Sequence, residues 1–248
     1  YVKKIPNIIS TPHLSLMKNN SNDETEDQNC STDASHTGEW QDGVRDGYGT
    51  FRHLGNRYTG NWLNYMIDGD ARVEYATGEI YEGELSEDLE PQGNGVMTYP
   101  YGRVYRGIWQ AGLMHGTGEL TYSDGRVYRG TWQEGERHGN GTSIDIFGNR
   151  YTGNWGGNGF VESVQITYTN GENYEGELSE ELKPQGNGVM TYPDGRVYTG
   201  KWQAGLWHGI GTLEHNNGNE YNGNWEEGNL HVGIVNSGEL HYEGALQN

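Results

Sequence analysis

The sequence predicts an all-β fold, an elongated single-layer antiparallel sheet of stacked β-hairpins, and a repeated motif carries that prediction. The motif Tyr-x-Gly-x-Trp/Leu recurs about every 23 residues from Tyr58 to Trp225, with a weaker opening copy at His36 and a truncated closing copy at Tyr242. A fixed period of this size is typical of repeat architectures. Glycine makes up 41 of the 248 residues, and its periodic placement argues against a low-complexity chain.

Each repeat is interpreted as one β-hairpin. In residues 105–125, Tyr105, Gly107 and Trp109 alternate with other residues and so share one face of a strand. The repeat ends at Asp124-Gly125, a pair that favours a hairpin turn because glycine accepts positive φ. A glycine opposite an aromatic ring removes the Cβ that would otherwise strike it. We therefore expect each hairpin to cover the rings of its neighbour, so that no repeat is stable alone.

The tyrosine, glycine and tryptophan of each well-kept copy are the predicted structural residues. The chain has 18 Tyr and 8 Trp but only 3 Phe, and it is only 32% hydrophobic, so we expect a thin core made of aromatic rings. The predicted structural residues are Tyr58, Gly60, Trp62, Tyr105, Gly107, Trp109, Tyr128, Gly130, Trp132, Tyr151, Gly153, Trp155, Tyr198, Gly200, Trp202, Tyr221, Gly223 and Trp225.

Three copies, which begin at Tyr105, Tyr128 and Tyr198, also carry a His-Gly pair after the first strand. The pattern then runs close to YxGxW-xxGxxHGxG-xxxYxDG and resembles the MORN repeat (membrane occupation and recognition nexus). The resemblance implies extended single-layer sheets of hairpins, with His-Gly as turn chemistry. It also implies pairing through terminal repeats in some members, phospholipid contact in several relatives, and arrays joined to kinase or methyltransferase domains.

The repeats divide the chain at residue 36. We predict an N-terminal extension or linker at 1–35, which is a candidate docking peptide, and an array at 36–248 with nine repeats and a truncated last one. The start of the extension mixes apolar side chains, among them Ile8 and Leu14, with prolines that oppose a regular helix. Its later part is polar and acidic, the composition of a disordered linker.

A longer period of 93 residues lies over the shorter one. Residues 81–118 and 174–211 agree at 31 of 38 positions. A tandem duplication explains this agreement, and two equivalent docking stations explain it as well. Met114 and Trp207 occupy matched positions but differ, so they are candidates for binding different partners.

The charge of the chain bears on its partners. The formal net charge is −19, from 16 Lys and Arg against 35 Asp and Glu. A nucleic acid needs cations to neutralise its phosphates, so we predict no nucleic-acid partner. An anionic membrane surface is disfavoured for the same reason. Glutamates such as Glu84 and Glu177 are interpreted as a solvated acidic face.

No arrangement of residues predicts catalysis, a cofactor or a metal ion. Cys30 is the only cysteine, so neither an intrachain disulfide nor a cysteine-based metal site can form. His115, His138 and His208 fall in separate repeats without metal-ligand spacing, and we interpret them as structural. Glycine-rich stretches such as 93–95 lack the Lys-Ser/Thr of a phosphate-binding loop.

The last copy supplies a first strand without a second one. Such a strand leaves an open sheet edge that invites pairing with another chain. We therefore predict association through residues 239–246, with Tyr242 and Leu246 as contact candidates.

These observations predict a non-catalytic scaffold or adaptor that binds other protein subunits in a larger assembly of the ciliary or cytoskeletal type. Two alternatives stay open: a membrane-attachment module for anionic phospholipids, and a regulatory repeat fragment of a longer enzyme. The expected location is intracellular, either cytoplasmic or cytoskeleton-associated. Import into an organelle remains open because the chain begins at Tyr1.

Overall fold

A computed structural model describes residues 34–157, 159–237 and 240–245, with the backbone alone at 237 and 240–245. The described chain divides into two compact units, the first ending at Glu136 and the second beginning at Arg137. Both units consist of antiparallel strands, and the described residues contain no α-helix. The predicted fold class, an all-β antiparallel sheet of stacked hairpins, is confirmed.

In the first unit, each strand pairs with the strands that precede and follow it in sequence. Tyrosines at the start of each repeat form one row across the sheet with Val73, Met97 and Leu120 of the intervening strands. A 3-10 turn at Pro100–Gly102 lies in the connection between β6 and β7. The strands are β1 (Ser35–Gln41), β2 (Val44–His53), β3 (Asn56–Leu63), β4 (Met66–Glu74), β5 (Ile80–Leu85), β6 (Pro91–Thr98), β7 (Val104–Gln110), β8 (Leu113–Thr121) and β9 (Val127–Gln133).

The second unit repeats this arrangement with one irregular hairpin. There the second strand is broken into two pieces, β12 and β13, and both pair with β11. The break falls in the copy that lacks the usual glycine pattern after its first strand. The strands are β10 (Glu136–Ile144), β11 (Arg150–Gly156), β12 (Gly159–Phe160), β13 (Val164–Thr167), β14 (Asn173–Leu178), β15 (Pro184–Thr191), β16 (Val197–Gln203), β17 (Leu206–Glu214), β18 (Glu220–Glu226), β19 (Asn229–Ser237) and β20 (Leu240–Ala245).

Two kinds of connection join the strands within each unit. Tight two-residue turns have positive φ at both central residues, as at Ala111 (φ 47°) and Gly112 (φ 72°), the backbone of a type I′ hairpin turn. Wider connections run from one strand to the next as at 122–126, where the nitrogen of Tyr122 donates to the oxygen of Arg126 at 2.8 Å. The pair Asp124-Gly125 lies in such a wide connection, so its turn is present but longer than an Asp-Gly signal indicates.

A β-bulge interrupts most first-to-second strand pairings, and in the β7/β8 and β16/β17 hairpins a His-Gly pair forms it. Gly107 lies opposite Gly118, whereas the next residue, Ile108, lies opposite His115. Gly116 takes up the extra residue with a φ of 54°, which L side chains rarely adopt. The expectation that His-Gly is turn chemistry is therefore corrected: the pair is bulge chemistry inside a strand.

Candidate functional site

Tyrosine rings lie across the row of glycines on one face of the sheet, which we call the aromatic face. Tyr105 is 0% exposed, and its Oη donates to the carbonyl oxygen of Ile108 at 3.1 Å. A Cβ on Gly118 would lie 2.3 Å from that Oη, so glycine leaves the space that the ring fills. The same bond to the carbonyl three residues further on recurs at Tyr81, Tyr128, Tyr174 and Tyr198.

Tryptophan side chains join each hairpin to the one before it. Nε1 of Trp109 donates to the carbonyl oxygen of Gly95 at 3.2 Å, and its ring meets Tyr81 edge-on with centroids 5.6 Å apart. The bond satisfies a buried donor that would otherwise be costly. It recurs at Trp62, Trp132, Trp155, Trp202 and Trp225.

The predicted structural residues all lie on this face. Their tyrosines and tryptophans are buried, except Tyr221, which is half-buried. Their glycines pair with the glycine or alanine of neighbouring strands. This glycine row includes Gly60, Gly107, Gly130, Gly153, Gly200 and Gly223.

A variable position follows each tight turn, and these positions form what we call the post-turn column. Its members in the first unit are Arg45, Ile67 and Met114. Its members in the second unit include Arg137, Trp207 and Leu230. They cover tryptophans: the guanidinium carbon of Arg137 lies 4.1 Å from the centroid of the Trp155 ring, and the rings of Trp207 and Trp225 are 5.0 Å apart. Sequence reasoning singled out two members and missed the column.

The two partner-binding candidates in this column differ in exposure. Met114 is 2% exposed, so it packs within the sheet and offers no surface to a partner. The interpretation of Met114 as a contact candidate is therefore corrected. Trp207 is half-buried and stacks on Tyr198 with centroids 4.7 Å apart. Its Nε1 donates to Oη of Tyr192 at 3.0 Å. Its donor is therefore already used within the second unit.

Arg45 and His36 form an unusual cluster on the aromatic face of the opening repeat. The guanidinium carbon of Arg45 lies 4.5 Å from the Phe51 ring centroid and 5.4 Å from that of Trp62. Burial lowers the pKa of Arg45 to about 10. Burial, and then the charge of Arg45, lower the pKa of His36 to about 4. The sequence signal for this cluster is a cation at a column position that is apolar in the copies with Ile67, Met114 and Leu230.

On the opposite surface of the sheet, which we call the polar face, carboxylates accept hydrogen bonds from backbone N–H groups. Oε1 of Glu84 accepts the backbone N–H of Asn94 at 3.0 Å, and Oε1 of Glu177 accepts that of Asn187 at 3.0 Å. Both carboxylates lie beside a bulge glycine whose Cβ would overlap them. The interpretation of these glutamates as merely solvated is therefore incomplete, because each one binds the bulge of its hairpin.

The remaining contact candidates lie at the two ends of the sequence. Ile8, Leu14 and Leu246 fall outside the described residues, and Tyr242 is described by its backbone alone. β20 pairs with β19 from Val232 opposite Ala245 to Ser237 opposite Leu240. Within 34–157, 159–237 and 240–245, no strand pairs with its other edge. Association through this edge stays a prediction.

The part of the chain that the structure describes contains neither a metal-binding cluster nor a membrane-spanning helix. No group of three or more His, Cys, Asp or Glu in that part of the chain could hold a metal ion. Nor does it contain a helix with the length and hydropathy needed to cross a membrane.

The buried imidazole of His36 predicts an acid-sensitive opening repeat. Because its folded-state pKa is about 4 against 6.5 ordinarily, the unfolded chain binds more protons between those values. The stabilisation is complete above pH 6.5 and is lost as the pH falls towards 4. Because His36 is only half-buried, solvent screening reduces the loss to roughly 1–2 kcal/mol, below the full value of the pKa shift. His36→Tyr, which restores the residue of other copies, should remove this loss. Urea unfolding of the wild type and of His36→Tyr at neutral and mildly acidic pH measures this loss of stability. An equal pH dependence in the two proteins would contradict the prediction.

Stacked hairpins that share glycine and aromatic rows define a β-repeat protein. The family model for the MORN repeat matches this chain at residues 36–53, 81–102, 105–125, 128–145, 183–195 and 198–220. The chain is a MORN-repeat protein. The copies that begin at Tyr58, Tyr151 and Tyr221 are not matched, and none of the three keeps the His-Gly pair.

Other comparisons find weaker likenesses. The TCP domain of SAS-4 (dCPAP) from Drosophila melanogaster, solved with a proline-rich motif of Ana2, matches 68% of this chain and 90% of its own, at 14% identity and a TM-score of 0.45. A mutant TCP10 domain of Danio rerio CPAP matches 74% and 84%, also at 14% identity and a TM-score of 0.45. No curated protein sequence matches the chain.

Proposed function

We propose that this protein is a non-catalytic scaffold that binds other proteins along the polar faces of its sheets, as a subunit of a larger assembly. One observation carries the proposal. The duplicated blocks at 81–118 and 174–211 keep the same buried framework and differ mainly on exposed positions. Of their seven differences, five are exposed in both copies: Asp88/Glu181, Tyr101/Asp194, Arg106/Thr199, Ile108/Lys201 and Thr117/Ile210.

Three of these differences cluster on the polar face. Arg106 and Ile108 alternate with the buried tyrosine and tryptophan of β7, and Thr117 lies on the neighbouring strand β8. Their counterparts in the second unit are Thr199, Lys201 and Ile210, the last of which is 73% exposed. The first unit thus presents a guanidinium, an isoleucine and a hydroxyl where the second presents a hydroxyl, an ammonium and an isoleucine.

This pattern favours protein partners over the other classes considered. A surface that changes its charge and apolar groups on a fixed framework can discriminate between protein partners by complementarity. The net charge of −19 opposes binding to phosphates or to an anionic bilayer. The ciliary or cytoskeletal type of assembly, and the intracellular location, belong to the same proposal.

The test is a surface exchange that leaves the core alone. The triple variant Arg106→Thr, Ile108→Lys, Thr117→Ile gives the first unit the polar face of the second. Because each residue already occupies the equivalent site in the other copy, we expect an unchanged thermal midpoint. Quantitative mass spectrometry of proteins that co-purify with the tagged chain should show at least one partner depleted about tenfold. The reciprocal exchange Thr199→Arg, Lys201→Ile, Ile210→Thr is the matched control and should deplete a different partner.

Two results would contradict the proposal. One is an unchanged partner profile in both exchange variants. The other is strong sedimentation of the wild-type chain with anionic vesicles at physiological salt, which would instead favour the membrane-attachment alternative. Vesicles of neutral lipid provide the control for that measurement.

A further inference from the structure

Two arginines face each other on the polar face of the first unit. Arg52 of β2 lies directly opposite Arg57 of β3, and both alternate with buried residues of the aromatic face, so they share the polar face. Like charges at directly opposed positions of two strands are destabilising. Elsewhere on this face an arginine lies opposite a glutamate, as Arg129 lies opposite Glu119. A chain with 35 acidic and 16 basic residues thus places two cations together where a carboxylate is the favourable neighbour.

Only one of these two arginines has a carboxylate partner. Nη1 of Arg57 donates to Oε2 of Glu74 at 3.1 Å, but its Nε is buried without a hydrogen-bond partner. Arg52 is exposed, and its neighbour on the other side is Ser35 of β1. In the part of the chain that the structure describes, Arg52 forms no ion pair. The two guanidinium groups therefore have free donors for a further carboxylate.

The residues that precede Arg52 and follow Arg57 on the polar face suit the same ligand. Oγ1 of Thr50 and Oγ1 of Thr59 are hydrogen-bonded to each other at 3.1 Å, which leaves one of the two hydroxyl hydrogens available to an acceptor. Tyr48 is 62% exposed on the same face. Tyrosine and arginine are enriched among the residues that contribute most to binding between proteins. We call Tyr48, Thr50, Arg52, Arg57 and Thr59 the opening patch.

Carboxylates lie on the polar face at the opposite ends of the neighbouring strands. Asp46 lies there on β2, and Asp68 and Asp70 lie there on β4. A flat anionic bilayer that reached Arg52 would also meet these carboxylates and be repelled by them. An extended protein segment can cross the strands at Arg52 and Arg57 without approaching them. The charge distribution therefore favours a protein segment over a lipid surface.

We propose that the opening patch binds an acidic segment of a partner protein, and that one carboxylate of this segment bridges Arg52 and Arg57. The bridge replaces the repulsion between two guanidinium groups by charge-assisted hydrogen bonds. The inference rests on the proposed scaffold function, because the patch lies on the polar face, and it adds the chemistry of one partner. The patch lies outside the duplicated blocks, so it is a separate binding surface.

A random dodecapeptide library displayed on phage tests the proposal without knowledge of the partner. The library is selected on the full wild-type chain, on Arg52→Gln and on Arg150→Gln as the matched control. Arg150 is an exposed cation of the polar face in the second unit, and it lies opposite Ile144 and Thr167. We expect the wild type and R150Q to enrich peptides rich in Asp and Glu. The Kd of an enriched peptide, measured by fluorescence anisotropy at physiological salt, should rise about tenfold in R52Q, the effect of losing one charge-assisted hydrogen bond.

A charge reversal separates binding from a structural role of Arg52. Arg52→Glu places a carboxylate opposite Arg57, so we expect a higher thermal midpoint than in the wild type. The same variant should bind none of the enriched acidic peptides, because the bridge can no longer form. A lower thermal midpoint would indicate that Arg52 stabilises the fold, and would contradict the argument that the two opposed cations await a ligand.

Three results would overturn the proposal. One is a selection on the wild type that enriches no peptides, or enriches peptides without acidic residues. Another is equal affinity of the enriched peptides for the wild type and R52Q. The third is sedimentation of the wild type with anionic vesicles that R52Q abolishes, which would assign the patch to a lipid surface. The exchange variants at 106, 108 and 117 leave the patch intact, so a failure of this proposal and a failure of the exchange test are distinguishable.

Discussion

Trp109→Ala should destabilise the first unit by about 3–5 kcal/mol, the range for removing a buried tryptophan from a core. Trp109 is 1% exposed, and its ring contacts Tyr81 and Tyr105 edge-on, with centroids 5.6 and 5.0 Å away. The substitution leaves a cavity between two repeats and deprives the Gly95 carbonyl of its donor. A loss of this size is a large share of the 5–15 kcal/mol that stabilises a typical protein.

Two further variants separate the causes of that loss. Trp109→Phe keeps an aromatic ring at this position but removes the hydrogen bond to Gly95, so we expect it to destabilise the first unit by roughly 1–3 kcal/mol. Trp40→Ala is the matched control, since Trp40 begins the same turn in the opening repeat but is 42% exposed. Urea unfolding followed by circular dichroism gives all three values. A cost for Trp40→Ala equal to that of Trp109→Ala would show that burial between repeats is not the cause.

The sequence predicted the sheet and its two faces because alternation within a strand is a local property. Tyr105 and Trp109 share a face whichever strand lies beside them, and the 23-residue period then predicts an array of such hairpins. The bulge at Gly116 could not be predicted in the same way, because it exists only in the register between two strands. For that reason His-Gly was interpreted as a turn.

The candidate site was predicted less well, since its residues depend on contacts between repeats. Met114 stood out because it differs from Trp207, but difference between copies carries no information about burial. Arg45 stands out only when the copies are aligned by their tight turns, which places it, like Arg137, at a position that is apolar in other copies. The sequence alone indicates a solvated Glu84, because its acceptor role appears only beside the bulge of the next strand.

Gly118→Ala should cost about 3 kcal/mol, although it adds a single methyl group. A Cβ at this position would lie 2.3 Å from Oη and 2.5 Å from Cζ of Tyr105. The φ of Gly118 is outside the left-handed region, so the conflict is steric and not a matter of backbone strain. Tyr105 is fully buried and bonded to the carbonyl of Ile108. Its ring cannot move aside without opening the core, and overpacking of this kind typically costs 1–3 kcal/mol or more.

Gly159→Ala is the control, because a Cβ there meets nothing within 4 Å. We expect the free energy of unfolding of that variant to lie within about 1 kcal/mol of the wild-type value, since alanine at a compatible position mainly restricts the unfolded chain. Tyr105→Ala supplies the decisive cycle. If the close approach of ring and strand is the reason for glycine, Gly118→Ala should cost almost nothing once the ring is gone. If the destabilisations caused by Gly118→Ala and Tyr105→Ala simply add, the close approach of the ring is not the reason for glycine in this row.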